Sequence, residues 1–183
     1  NLIMYRTASP YIKELLKGDI NWHPFNKETL KKAVIEDKMI FLHIGNISNI
    51  DRRNASYKLF SNTLVIEILN TNYIPIAVDT EDVQEAYLIG MDLLLINEHK
   101  ISGHINIFAL PGVKPVISFS SMDISDFIQI ADNITTSFMF HRDKLELAGN
   151  YLTERLKISG IVTQKEPEKK ISPKLLHAYI RSW

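Results

Sequence analysis

The chemistry open to this sequence is limited first by a residue it lacks. None of its 183 residues is a cysteine, which excludes disulfide exchange, thiolate nucleophiles and Cys-ligated zinc. Six histidines remain: His23, His43, His99, His104, His141 and His177. None pairs with another at i, i+3 or i+4, the spacing that places two imidazoles on one helix face, so no metal is expected. His43 sits inside an apolar run and reads as a hydrogen-bonded core or strand-end histidine. His99 follows Glu98 near a predicted helix end, where a cation is favoured by the helix dipole. Asp79, Thr80, Glu81 and Asp82 form an acidic cluster after a predicted strand. Carboxylates at such an edge can face a ligand. The same residues also suit a helix start, as N-cap and first-turn acids, and that reading is preferred. Asp51, Arg52 and Arg53 concentrate charge in what reads as a loop; guanidinium geometry suits oxyanions, but such loops are commonly just solvated. The seven glycines are scattered singly, with no phosphate-cradling loop, no G-x-S-x-G elbow and no metalloprotease helix. No cofactor is expected.

Composition bounds the rest. Lys plus Arg number 21 and Asp plus Glu number 21, giving zero formal net charge. That balance, with no basic run, argues against broad binding to a nucleic-acid backbone. An apolar fraction of 45% and a charged fraction of 23% suit a folded globular chain. No apolar run approaches the roughly 20 residues of a membrane span; the longest, 93–96 and 105–110, are core-sized. The sequence opens on Asn1 without a signal-peptide pattern, which reads as a processed or trimmed N-terminus, and a cytoplasmic location is expected.

The elements that would position these residues follow from periodicity. Runs 39–44 and 73–78 are short, apolar and β-rich, as buried parallel strands are. Pro75 within the second removes a ladder donor and favours an edge strand or a strand start. Segments 105–110 and 116–119 flank a Pro/Gly turn and read as an antiparallel hairpin. Helical spacing appears at 27–35 (with Asn26 as N-cap), 63–70 (with Asn62 as cap), 82–99, from Asp123 onward, and 145–158. A unit alternating helix and strand, then a hairpin and a covering helix, is an α/β arrangement of thioredoxin type: a central mixed sheet flanked by helices, with extra C-terminal helices. Residues 1–160 form that domain, the polar stretch 161–172 reads as a linker, and 173–183 as a terminal helix, possible start of a further helical domain.

Several segments together resemble the N-terminal domain of the spermatogenesis-associated thioredoxin-like family, whose bacterial members include YyaL-type proteins. Asn1 and Leu2 with Ala8, Ser9, Pro10 and Tyr11 look like its "N-x-L…SPYL" start. Residues 20–25 (INWHPF) look like "VDWYPW", and 38–45 (KMIFLHIG) like "KPIFLSIG". Asn106, Ile107 and Phe108, with Lys114 and Pro115, match "NVFLTPDGKP". The likeness runs from about residue 1 to about 158. It implies a thioredoxin fold which, in such members, precedes a larger helical barrel resembling sugar epimerases.

This sequence departs from the family at its signature, Cys-His-Trp-Cys-His. Counted without gaps from Gly45 to Phe60, those five positions hold Asn49, Ile50, Asp51, Arg52 and Arg53. A Trp-Pro pair that carries the cis-proline of thioredoxin folds is replaced by Gly103 and His104. Thiol exchange needs an attacking thiolate and a resolving sulfur, and neither exists here. Without proline, the bond before His104 is expected to be trans. The main expectation is a non-enzymatic binding or scaffold module, with an unidentified protein or peptide partner meeting an edge formed by Asn49, Ile50, Asp51, Arg52, Arg53 and His104. The alternatives are an accessory domain of a larger epimerase-like or carbohydrate-active barrel protein, and, more weakly, a new active site on Asp51, Arg52 and His104.

Overall fold

A computed structural model describes residues 2–82, 104–120 and 122–163. Helix α1 (Leu2–Thr7) leads into α2 (Pro10–Leu15), which has Pro10 at its start and Ser9 as N-cap, the Ser9 hydroxyl accepting from Ile12 N–H. Then come α3 (Lys27–Ile35), capped by Asn26, strand β1 (Met39–Gly45), α4 (Ile50–Phe60), α5 (Thr63–Asn72), capped by Asn62, and strand β2 (Tyr73–Asp79). After the undescribed stretch come β3 (Ile105–Leu110), β4 (Lys114–Phe119), α6 (Ile124–Phe140) and α7 (Arg142–Thr163).

The strands form one sheet in the order β2-β1-β3-β4. β1 and β2 run parallel with Met39 opposite Tyr73; β3 is antiparallel to both β1 and β4. This is the mixed sheet expected from strand–helix–strand followed by a hairpin. β4 begins at Lys114, earlier than its periodicity suggested, because a register shift between Phe108 and Ala109 lets Pro115 pair with Ala109. Gly112 and Val113 both have positive φ (88° and 65°), which makes the hairpin turn tight. Pro75 lies in an edge strand, as its missing N–H demands. Its carbonyl accepts from His23 N–H at 2.8 Å, and Ala77 N–H reaches His23 O at 3.3 Å, so residue 23 bridges the outer edge of β2.

Alternation along the strands divides the core into two faces. One is aromatic: Phe41, Tyr73, Phe108 and Phe119 meet Phe127 of α6, Trp22 and Phe60 of α4. The Phe41 and Phe108 rings lie 5.1 Å apart, and Phe127 meets Phe41 edge-on at 5.5 Å. The other face is aliphatic: Ile40, Leu42, Ile44, Ile74, Ile76, Val78, Ile105 and Ile107 pack with Leu30 and Ala33 of α3 and Leu152 of α7.

Several expectations need comment. Residues 50–53, read as loop, are the first turn of α4. Helix α7 runs to Thr163; the remainder of the linker and the terminal helix at 173–183 lie outside the described residues. So does the helix expected over 82–99, apart from Asp82, and so does Gly103, hence the bond before His104.

Candidate functional site

The positions corresponding to the missing signature open α4. Asn49 is the N-cap, its side-chain oxygen accepting from Arg52 N–H at 3.0 Å. That gives Asn49 a structural duty independent of any ligand: it satisfies one of the helix's otherwise unpaired donors. Asn49, Ile50 and Asp51 are exposed and Arg52 and Arg53 half-buried. Asp51 sits in the first turn, where a carboxylate suits the helix dipole.

His104 behaves differently. It lies just ahead of β3, is 2% exposed, and faces inward beneath this turn. Its Nε2 lies 3.2 Å from Asn46 N and 3.0 Å from Asn46 O, and its Nδ1 is 2.8 Å from Ser56 Oγ. The segment after β1 and the segment before β3 therefore meet at one end of the sheet, as the thioredoxin layout implies. With Nε2 bare, His104 accepts from Asn46 N–H and gives its Nδ1 proton to Ser56. With the proton on Nε2, it donates to Asn46 O and accepts from the Ser56 hydroxyl. Both neutral tautomers are satisfied. Burial holds its pKa below the ordinary imidazole range, assisted by the nearby positive charge of Arg52 and opposed by the Asn46 carbonyl and Asp79.

Behind His104 runs a buried polar chain that reading the sequence only glimpsed at His43. Asn106 Nδ2 donates to Ser120 O at 3.3 Å, so its Oδ1 faces His43 Nδ1 at 2.7 Å. His43 must then carry its proton on Nδ1 and accept at Nε2 from the Tyr11 hydroxyl, 2.7 Å away. The Tyr11 oxygen in turn lies 3.5 Å from His104 Nδ1. His43 is fully buried on the aromatic face; burial, with the neighbouring His104, pulls its pKa down to about 3. Burial pushes the Tyr11 hydroxyl upward. All the members are therefore neutral near pH 7. Gly45 permits this packing: a Cβ there would stand 2.8 Å from Tyr11 Cε1 and 3.0 Å from His43 Nε2.

Asp79, at the end of β2, is 5% exposed and accepts from Ser9 Oγ at 2.6 Å and from Glu81 N–H at 2.9 Å. The Asn46 amide donates to Thr80 Oγ1 at 2.8 Å. These groups tie the ends of β1 and β2 together and to the start of α2. The chain thus places its polar atoms against one another. Ser56 and His104 have nucleophile–base spacing; Ser56 is 8% exposed, and His104 is held at both ring nitrogens, by Asn46 and Ser56. Asp51 and Arg52 belong to the surface turn above. Among the described residues, no group of three His, Asp or Glu side chains could hold a metal, and no helix is long and apolar enough to cross a membrane.

Tyr11, Ser56 and Asn106 were missed as site residues. Tyr11 could have been found from its Ser-Pro-Tyr context, because the Ser9 cap and Pro10 fix a helix start that turns Tyr11 inward. Ser56 and Asn106 carry no such signal, since the network forms only when the sheet brings β1 and β3 together.

Comparison with known proteins completes the picture. Residues 2–157 match the Thioredox_DsbH family, described as "Protein of unknown function, DUF255". Spermatogenesis-associated protein 20 of Mus musculus is 26% identical over 109 residues, 60% of this chain and 14% of that protein. Uncharacterized protein B0495.5 of Caenorhabditis elegans is also 26% identical, over 108 residues, 59% of this chain and 15% of that protein. The chain thus matches only about a seventh of the length of either relative. A solution structure of a thioredoxin from Thermus thermophilus superposes with a TM-score of 0.51 at 14% identity, covering 65% of this chain and 89% of that one.

Proposed function

Because this chain belongs to the Thioredox_DsbH family and has a thioredoxin-like fold, yet lacks any cysteine, we propose that it is a redox-inactive, non-enzymatic binding module. The observation that carries this reading is the fate of the signature turn. Its positions hold a capping Asn49 and the charged residues Asp51, Arg52 and Arg53, above a polar network closed on itself. A rigid, self-satisfied floor under a polar helix start favours recognition over catalysis. The binding edge is Asn49, Ile50, Asp51, Arg52 and Arg53, with His104 supporting it from below. Its partner is a polar or anionic peptide segment, met by charge-assisted bonds from the guanidinium groups.

Two measurements test this. The full chain should not accelerate dithiol-driven reduction of insulin above buffer; activity that persists through repurification defeats the claim of redox inactivity. Labelled Glu/Asp-rich and Leu/Val-rich peptides of equal length should be titrated against the wild type and the Arg52→Ala/Arg53→Ala variant. The acidic peptide should bind more tightly and lose roughly tenfold in affinity in the variant, the scale of one hydrogen bond to a charged group. Equal affinity in the two proteins, or preference for the apolar peptide, removes this edge as the binding surface.

A second reading, an accessory domain within a larger epimerase-like protein, is favoured by the length of the relatives, of which this chain matches 14–15%. The reading frame beyond the Trp183 codon separates the two: several hundred further codons support the second.

A further inference from the structure

The last residues of the sequence have no part in the reading above, yet their pattern requires a partner. Residues 173–183 read PKLLHAYIRSW. Wound as a helix, at about 100° per residue, they place Leu175, Leu176, Tyr179, Ile180 and Trp183 within an arc of about 140°. Lys174, His177 and Arg181 fall on the opposite side. So short a helix is not stable alone in water, and one so divided must bury its apolar face against something. The domain carries a face of matching kind. Leu147 and Tyr151 of α7 stand 68% and 61% exposed, one helical turn apart and therefore side by side. They lie on the side of α7 away from Leu152, which is buried among the aliphatic residues of the sheet. The Arg155 guanidinium, 5.9 Å from the centre of the Tyr151 ring, still leaves that residue mostly open. Met139 and Phe140, also exposed, end α6 immediately before α7 begins.

Chain length identifies the occupant. From Tyr151 to its end at Thr163, α7 rises about 18 Å. The residues 164–172 that follow span up to about 30 Å when extended, enough to turn back over that distance. A helix over 173–183 is then about 16 Å long, and the stretch of α7 from Tyr151 back to Arg142 is about 14 Å. We propose that residues 173–183 form a helix that folds back antiparallel to α7 and buries its apolar face against Leu147 and Tyr151, with Trp183 toward Met139 and Phe140. The tether favours this segment over a second copy of the chain, because a short flexible linker holds it at an effective concentration in the range of about millimolar. The contact involves none of the residues of the charged turn at 49–53 and does not depend on that turn binding anything.

The absence of cysteine makes the test clean, since introduced thiols have no competitors. Lys144→Cys on α7 and Ser182→Cys near the end of the chain, both spin-labelled in the full chain, report one distance by pulsed electron paramagnetic resonance. With the tail docked, that distance should be narrow and below about 25 Å, two packed helices being about 8–10 Å apart with the label arms added. With the tail free, it should be broad and centred near about 40 Å. Leu147→Glu with Tyr151→Glu, which changes only exposed positions, should convert the narrow distribution into the broad one. Leu176→Glu with Ile180→Glu should do the same, and serves if the α7 substitutions disturb the domain. A broad distribution in the unsubstituted chain overturns the proposal. So does a narrow one that survives both pairs of substitutions. A short distance in a mixture of the two singly labelled chains also overturns it, by making the occupant a second copy.

Discussion

At the scale of single residues, the most consequential group is His43. Its folded pKa is near 3, against about 6.5 in an unfolded chain. The unfolded state therefore binds more protons than the folded state between those values, and stability must fall as pH drops through that window. It is fully present above about pH 6.5, and the loss ends near pH 3, at up to roughly 1.4 kcal/mol per pH unit from this one group. His104, also lowered, acts in the same direction. Urea denaturation at pH 7 and pH 5 should show a clear fall in midpoint, much reduced in His43→Gln; a midpoint that does not move with pH contradicts the assigned protonation. His43 also shows what the sequence could and could not convey. Its place in an apolar run announced burial and a hydrogen bond. Its partners Tyr11 and Asn106 lie 32 and 63 residues away, and no local pattern connects them.

At the scale of elements, legibility followed apolar periodicity. β1, β2 and the β3–β4 hairpin were readable because short β-rich runs ended at Gly45, Asp79 and a Pro/Gly turn. α3 and α5 were readable because Asn26 and Asn62 precede apolar residues at helical spacing, although Val34 and Leu64, expected on the inward faces, lie exposed, and the buried faces are Thr29, Leu30 and Ala33 in α3 and Val65 and Leu69 in α5. α4 was not, although it carries the candidate edge, because its buried residues Ser56, Leu59 and Phe60 keep the i, i+3, i+4 spacing of one helix face but the first of them is polar, which leaves too short an apolar stripe to read. α1 and α2 were missed because six residues are too few to show a period. Caps are the cheapest check on this account. Asn26→Ala should cost α3 about 1 kcal/mol, seen as a lower urea midpoint, whereas Asn26→Asp should cost little; equal losses would argue that the cap bond to Thr29 N–H is not what the position supplies. The β1 terminus offers a stronger test. Gly45→Ala forces a methyl against the Tyr11 and His43 rings and should destabilise by about 1–3 kcal/mol. The substitution should also shift the ring resonances of both; unchanged stability would mean that this corner repacks freely.

At the scale of the whole molecule, the sheet separates an aromatic core from an aliphatic one, and most of the large rings lie on the side that carries α4 and α6. Phe108 is fully buried at the centre of that side, in contact with Phe41, Tyr73, Phe119 and Phe127. Phe108→Ala should cost about 3–5 kcal/mol, a large part of the stability of a domain this size. A calorimetric Tm little changed would show that α6 collapses into the space. On the opposite side, Arg142 forms a two-pronged pair with Asp37 at 2.8 and 2.9 Å, joining the turn before β1 to the start of α7. Both partners are exposed, so its value to stability is modest, about 0–1 kcal/mol.

The bridge at residue 23 bears on how copies of this chain coexist in a crowded solution. A bare sheet margin is a template on which another chain can add a strand, and from such additions fibrils grow. Along β2, Pro75 has no proton to offer, its carbonyl is engaged, and the Ala77 amide is already taken by the same short segment. An incoming strand would find that stretch of margin occupied and could add to β2 there only by displacing the segment ahead of α3.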